Sequence, residues 1–325
     1  MNNVSKKGKI MGTIYKISFI ILLLLIFAKG CGKLLSKIPA VPDNYTGTVK
    51  TGGDIEAKYL KMGTHDVEYM ESATMSSLSK FEVYYPKDLD SIGKAPVVVF
   101  LNGTGTKGSK YTALQKHLAS WGFITIANEQ DNSFYGEGAE LSIRYLKLAD
   151  SYEDEKEKNP LKGHIDFDNI GITGHSQGGI GVINGITIHE HSNMYKASVI
   201  LSSTGTDISK ALLWDSDSSK INANTLLIAS TGNTDSNIAP IESLNKTYDS
   251  INGVDKVLAR RNDCDHGEML YYADGYVTAW FMYYLQNDKN ANAFFGDNPE
   301  MKNNSLYQDF KSNKYEESNS IIESN

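Results

Sequence analysis

The sequence predicts an α/β protein, built as a mostly parallel central sheet with helices on both faces. Three observations point there. Strand-like and helix-like segments alternate from about residue 80 to residue 288. Pro96-Val97-Val98-Val99-Phe100-Leu101 is an unbroken apolar run, the pattern of a strand covered on both faces. Gly174-His175-Ser176-Gln177-Gly178 joins a short apolar run to a helix-like one through a glycine-rich turn.

The elements follow in order. Lys80 to Tyr85 alternates and stops at Pro86, so it reads as a strand. The stretch from Asp54 to Tyr85 reads as an antiparallel edge. The buried run at 96–101 ends in the turn Asn102-Gly103-Thr104-Gly105. Tyr111 to Trp121 carries Leu114, Leu118 and Trp121 at helical spacing. Phe123 to Ala127 is the next strand. Ala139 to Lys158 is a helix ending before Pro160. Asn169 to Thr173 is a strand and Ile180 to His189 a helix. Ala197 to Leu201 and Thr225 to Ala229 are strands. Ile241 to Ile251 is a helix, Lys256 to Ala259 a strand, and Met269 to Leu285 a helix. No internal repeat and no second domain is visible.

Composition bounds the function. The chain has 325 residues, 22% of them charged, with a formal net charge of −7. No basic stripe marks a nucleic-acid surface. The 3 Trp, 19 Tyr and 11 Phe are ample for a core, so global disorder is excluded. Two cysteines cannot build a disulfide framework.

The N-terminus stands apart. Lys6, Lys7 and Lys9 precede an uncharged apolar run from Ile17 to Ala28. Extended back to Ile10, with Lys16 as its only charge, a helix there would reach about 28 Å, near a bilayer core. Gly30-Cys31 is similar to a bacterial lipoprotein cleavage box, although Lys29 is atypical. Lipid anchor, uncleaved anchor and cleaved signal all remain open for residues 1–31. Each sends the rest of the chain across the membrane, leaving the basic end inside. Residues 32–53 read as a linker, 54–302 as one domain, and 303–325, rich in Asn, Ser, Lys and Glu, as a disordered tail.

The glycine-rich turn carries chemistry. A G-x-S-x-G sequence between strand and helix is a nucleophile elbow, with the Ser at the apex of a sharp turn. Its hydroxyl then projects at the carboxyl edge of the sheet, where open α/β sheets place their sites. A Ser hydroxyl needs an adjacent base. In this arrangement the acid and then the His follow the Ser in chain order. Of seven His, His65, His117 and His164 precede Ser176, and His175 belongs to the elbow. His189 and His191, two apart, do not share a helix face and do not read as a metal pair. His266 follows the last strand and is left as the base. Asp235, just after Thr225 to Ala229, is the favoured acid, with Asp207 as runner-up. Asp263 and Asp265 lie too near His266 in sequence to orient its far ring nitrogen easily. The Thr104 and Gln177 amides are the candidate oxyanion donors.

Together these residues resemble the α/β-hydrolase superfamily. Within it they look most like bacterial cutinases and polyester hydrolases, with their dienelactone-hydrolase and chlorophyllase-like relatives. The resemblance runs from about residue 95 to residue 300. It rests on Val97 to Gly105, on Leu118-Ala119-Ser120-Trp121-Gly122-Phe123, and on Gly174 to Gly179. Asp235-Ser236-Asn237-Ile238-Ala239-Pro240, Ala279-Trp280-Phe281 and Asn287-Asp288 complete it. It implies an α/β-hydrolase fold, a Ser176–Asp235–His266 triad and carboxylic-ester hydrolysis. Two positions depart. Thr104 stands where many relatives carry an aromatic residue, and Ser202-Ser203-Thr204-Gly205 lacks a Trp often found there. Both departures weaken the case for polyester or cutin as substrate.

About 30 residues separate Leu201 from Asp235, too few for a large lid domain. No metal or organic cofactor is implied. The expected partners are a small-molecule or polymeric ester and, through the N-terminal segment, a membrane. The alternatives are a non-catalytic surface binding protein on the same fold, or a serine acyltransferase or peptidase.

Overall fold

The computed structural model describes residues 40–73, 80–152 and 159–315. Its strands form a nine-stranded sheet of β1 (Val67–Ala73), β2 (Lys80–Pro86), β3 (Ala95–Leu101), β4 (Ile124–Asn128), β5 (Ile165–His175), β6 (Tyr195–Leu201), β7 (Asn224–Ser230), β8 (Lys256–Arg261) and β9 (Tyr307–Ser312). Their order is β1-β2-β4-β3-β5-β6-β7-β8-β9. From β4 to β8 neighbours are parallel, while β1, β2 and β9 pair antiparallel.

The main helices are α1 (Asp54–Leu60), α2 (Thr112–Ser120), α3 (Glu137–Ser151), α4 (Gln177–Gly185), α5 (Ile241–Ser250) and α6 (Asp274–Leu285). They cover both faces, because alternate strand residues point opposite ways. In β3, Val98 and Phe100 pack with Leu114, Leu118, Trp280 and Phe281. Val97, Val99 and Leu101 pack on the other face with Ile143, Leu146, Val182 and Leu244. All of β3 is therefore buried, which explains its unbroken apolar run. The fold is the mostly parallel α/β architecture that the sequence predicts.

The site's location follows from the connections. β3 runs to β4 on one side, and the chain then crosses to β5 on the other. The carboxyl ends of β3 and β5 meet at this reversal, with Leu101 opposite Gly174.

Several expectations are corrected. The folded unit begins before Asp54: Val41 and Tyr45 are buried in the core, so residues 40–53 are not a linker. Residues 303–315 are not a disordered tail, because β9 pairs with β8. A buried polar seam explains both. Arg261 Nη1 lies 2.6 Å from Glu56 Oε1, and each side chain is almost fully buried. Arg261 also donates to Lys50 O and Tyr307 Oη, and Asn304 Nδ2 donates to Glu56 Oε2. Breaking such a buried ion pair costs about 3–5 kcal/mol, so the two ends hold each other.

Asp54–Leu60 is a helix, not an edge strand. The expected helix at 269–285 is interrupted at Ala273, and that at 180–189 begins at Gln177 and stops at Gly185. Of the helix expected at 139–158, the described part is helical as Glu137–Ser151, and residues 153–158 lie outside the described residues. Residues 1–39, with the apolar run, Cys31 and the first part of the expected linker, and residues 316–325 of the expected tail lie outside the described residues. Among the described residues no helix is long and apolar enough to cross a membrane.

Candidate active site

Ser176 sits between β5 and α4 with φ 58° and ψ −119°, an unfavourable region for a residue with a side chain. Such a conformation costs about 1–3 kcal/mol and persists only where the surroundings enforce it. They do so here. Ser176 N–H donates to Leu201 O at 3.0 Å, and Ser176 O accepts from Gly179 N–H at 3.0 Å and Thr204 N–H at 3.3 Å. A Cβ on Gly174 would fall 2.3 Å from Gly178 O, and one on Gly178 would fall 2.3 Å from Leu101 O. The turn is tight enough that only glycine fits at both positions.

His266 and Asp235 come together from loops 31 residues apart. His266 Nδ1 donates to Asp235 Oδ1 at 2.6 Å. Asp235 lies in the first turn of the short helix Asn233–Ile238 and is fully buried. Its second oxygen accepts from Ser202 Oγ at 2.8 Å and from the Ser230 N–H. Burial pushes its pKa up, but hydrogen bonds from His266 and Ser230 outweigh this and hold it below the usual carboxylate range. Asp207, the runner-up, is exposed in the helix Thr206–Ala211.

His175 links the elbow to this pair. Its Nε2–H donates to His266 O at 2.7 Å, and the two rings lie 4.4 Å apart. Burial first, and the neighbouring His266 second, lower its pKa to about 3, so it stays neutral. His175 thus places His266 against the residue that precedes Ser176.

The loop Asn102-Gly103-Thr104-Gly105 packs on the same turn. A Cβ on Gly103 would lie 3.2 Å from His175 O. Asn102 Nδ2 donates to Asn128 O at 2.8 Å and Gln130 O at 2.9 Å, which pins the loop's base. Thr106 N–H donates to Gly103 O at 3.0 Å and closes the turn. The buried Gln177 side chain accepts from Ser133 N–H at 2.9 Å. Among the described residues, the Thr104 and Gln177 N–H groups have no protein acceptor.

Several surroundings were invisible in the sequence. Asn184 of α4 donates to Phe134 O at 2.7 Å and Asp215 O at 2.9 Å. This brings Phe134 and Trp214 into a stack with centroids 5.4 Å apart. Residues 202–205 lack an aromatic side chain, yet the neighbouring loops supply one. A cavity of about 100 Å³ lies behind them, lined by Ile180, Ile200, Thr204, Trp214 and Leu244 among others. Ser176 and His266 do not line it.

Other chemistry is weakly supported. Glu140, Glu190 and His191 come within reach of one ion. Arg144 already bridges them, 2.6 Å from Glu140 and 2.8 Å from Glu190, so the cluster reads as an ion-pair network. His189 instead contacts Tyr135 O at 2.8 Å. Burial pushes the Cys264 thiol up to about 12, which removes it as a nucleophile at neutral pH.

No curated protein matches the chain. The family model described as PETase, PET hydrolase-like, does match, over residues 45–314. That span holds the elbow, the loop after β3 and both loops that join at His266. On this match, and on a strand order that delivers those loops to one edge, the chain belongs to the PETase (PET hydrolase-like) family of the α/β-hydrolase superfamily and is an ester hydrolase by kinship.

Proposed function

We propose that the protein is a serine hydrolase that cleaves carboxylic esters through an acyl-enzyme. The carrying observation is the 2.6 Å His266–Asp235 hydrogen bond, tied through His175 to the strained Ser176 turn. In this reading His266 Nε2 takes the Ser176 proton as Ser176 Oγ attacks the ester carbonyl. Asp235 fixes the tautomer, with the proton on Nδ1, and stabilises the imidazolium. The Thr104 and Gln177 amides stabilise the oxyanion. His266 then protonates the leaving alcohol. It next activates water, which releases the acid and restores Ser176.

The segment between β6 and β7 carries one six-residue helix and a short turn. This supports an open site, suited to extended or surface-bound esters. We also propose that residues 1–31 direct the domain across a membrane. The support is their basic flank and apolar run.

The test is an ester panel, soluble and polymeric, on wild type and Ser176→Ala, with fluorophosphonate labelling beside it. The variant is expected to lose on the order of 10⁶ in kcat and all labelling. Equal turnover in both proteins would end the proposal.

A further inference from the structure

Asp265 precedes His266 in the loop after β8, and the proposed chemistry makes no direct use of it. Its Oδ1 accepts from the Asp235 N–H at 2.8 Å and from the His266 N–H at 2.8 Å. Its Oδ2 accepts from the Thr234 N–H at 3.3 Å. One carboxylate thus holds the main chains of the candidate acid and the candidate base together.

The carboxylate is itself anchored. Asp265 N–H donates to Glu268 Oε2 at 2.9 Å, and Asp265 O accepts from Glu268 N–H at 3.0 Å and Met269 N–H at 3.2 Å. The acid loop also makes room for it. A Cβ on Gly232 would lie 2.6 Å from both Asp265 Oδ1 and Cys264 O. Gly232 has φ −60°, which any residue can adopt, so close approach, not backbone conformation, calls for glycine there.

We propose that Asp265 is a positioning residue that clasps the acid loop to the base loop and sets the His266–Asp235 geometry. The inference rests on the triad reading above. Backbone N–H groups given to an ionised oxygen make charge-assisted bonds, roughly twice as strong as neutral ones. Two such bonds from one oxygen set the acid and base main chains relative to each other. The side-chain bond at 2.6 Å is then made between parts already in place. Misplacement by about 1 Å at such a site can cost about 100-fold in rate.

The test compares Asp265→Ala, Asp265→Asn and Gly232→Ala in the otherwise intact protein. Asp265→Ala removes all three acceptor contacts. Asp265→Asn keeps an oxygen for the two shorter ones. Gly232→Ala presses on the clasp from the opposite side and does not alter Asp265. Turnover per fluorophosphonate-titrated site is measured, along with the downfield proton resonance of His266 Nδ1–H.

Asp265→Ala is expected to lower kcat about 10- to 100-fold with KM little changed, and to broaden the resonance. Asp265→Asn should recover most of both, and Gly232→Ala should fall between. If Asp265→Ala fails to fold, Gly232→Ala against Asp265→Asn decides by the same readouts. Wild-type kcat with an unaltered resonance in the variants that remove or press on the clasp would overturn the proposal. So would an Asp265→Asn loss as deep as that of Asp235→Asn, which would make Asp265 the acid. The resonance is read without turnover, so an active Ser176→Ala would end the triad reading and leave the clasp still decided.

Discussion

Around Ser176 the chain is held by close packing. Around His266 and Asp235 it is held by hydrogen bonds to two carboxylates, the buried Asp235 and the partly exposed Asp265. At the elbow, Gly174 and Gly178 let main chains approach within distances that no Cβ would allow. At the pair, Asp235 and Asp265 gather N–H and hydroxyl donors from Ser202, Ser230, Thr234 and two loop main chains. Packing constraints of the first kind are written in consecutive residues. Those of the second kind join residues from separate loops. The two regions should therefore fail in different ways.

The largest effect is expected at the pair. Asp235→Asn keeps the shape but favours the wrong imidazole tautomer, and should cost about 10⁴ in kcat with folding preserved. Circular dichroism beside kinetics checks this; a loss below tenfold would remove Asp235 from the acid role. At the elbow the reverse is expected. Gly178→Ala puts a methyl against Leu101 O and should cost about 1–3 kcal/mol or more in stability, read as a fall in denaturant midpoint. An unchanged midpoint would show that the turn is looser than its geometry.

The smallest effect sharpens the junction between the regions. An unfolded His takes up a proton below about pH 6.5, whereas folded His175 resists until about 3. The unfolded state then binds more protons across that window, so stability falls as pH drops through it. His175→Phe should show a shallower loss of stability from pH 6.5 downward. Identical slopes in the two proteins would mean that His175 does not stay neutral on folding.

Much of this was legible from residue order. The elbow is contiguous, and His266 is the one His after the last parallel strand. The unbroken run at β3 announced its burial on both faces. The proposed acid was less legible, since Asp207 and Asp235 both follow a strand; the bond to His266 separates them. Ser202, the Asp265 clasp and the Phe134–Trp214 stack had no signal in a single chain. Gly232 was a trace of the clasp, but a glycine in a loop announces many things. The boundaries at 53 and 303 were misplaced because polar composition resembled a tether and a tail. Lys50, Asn304 and Tyr307 bond to the buried Arg261–Glu56 pair, which draws those segments inward.

By itself the sequence determined the alternation of strands and helices, the glycine-rich turn at Ser176, and His266 as the candidate base of the proposed chemistry. These depend on neighbours along the chain, through side-chain period and backbone sterics. The tertiary structure decided which carboxylate meets the His266 ring, which one meets its main chain, and that residues 40–53 and 303–315 pack into the fold. Those depend on hydrogen bonds and buried charge between residues far apart in sequence, whose free energy exists only once the sheet has assembled.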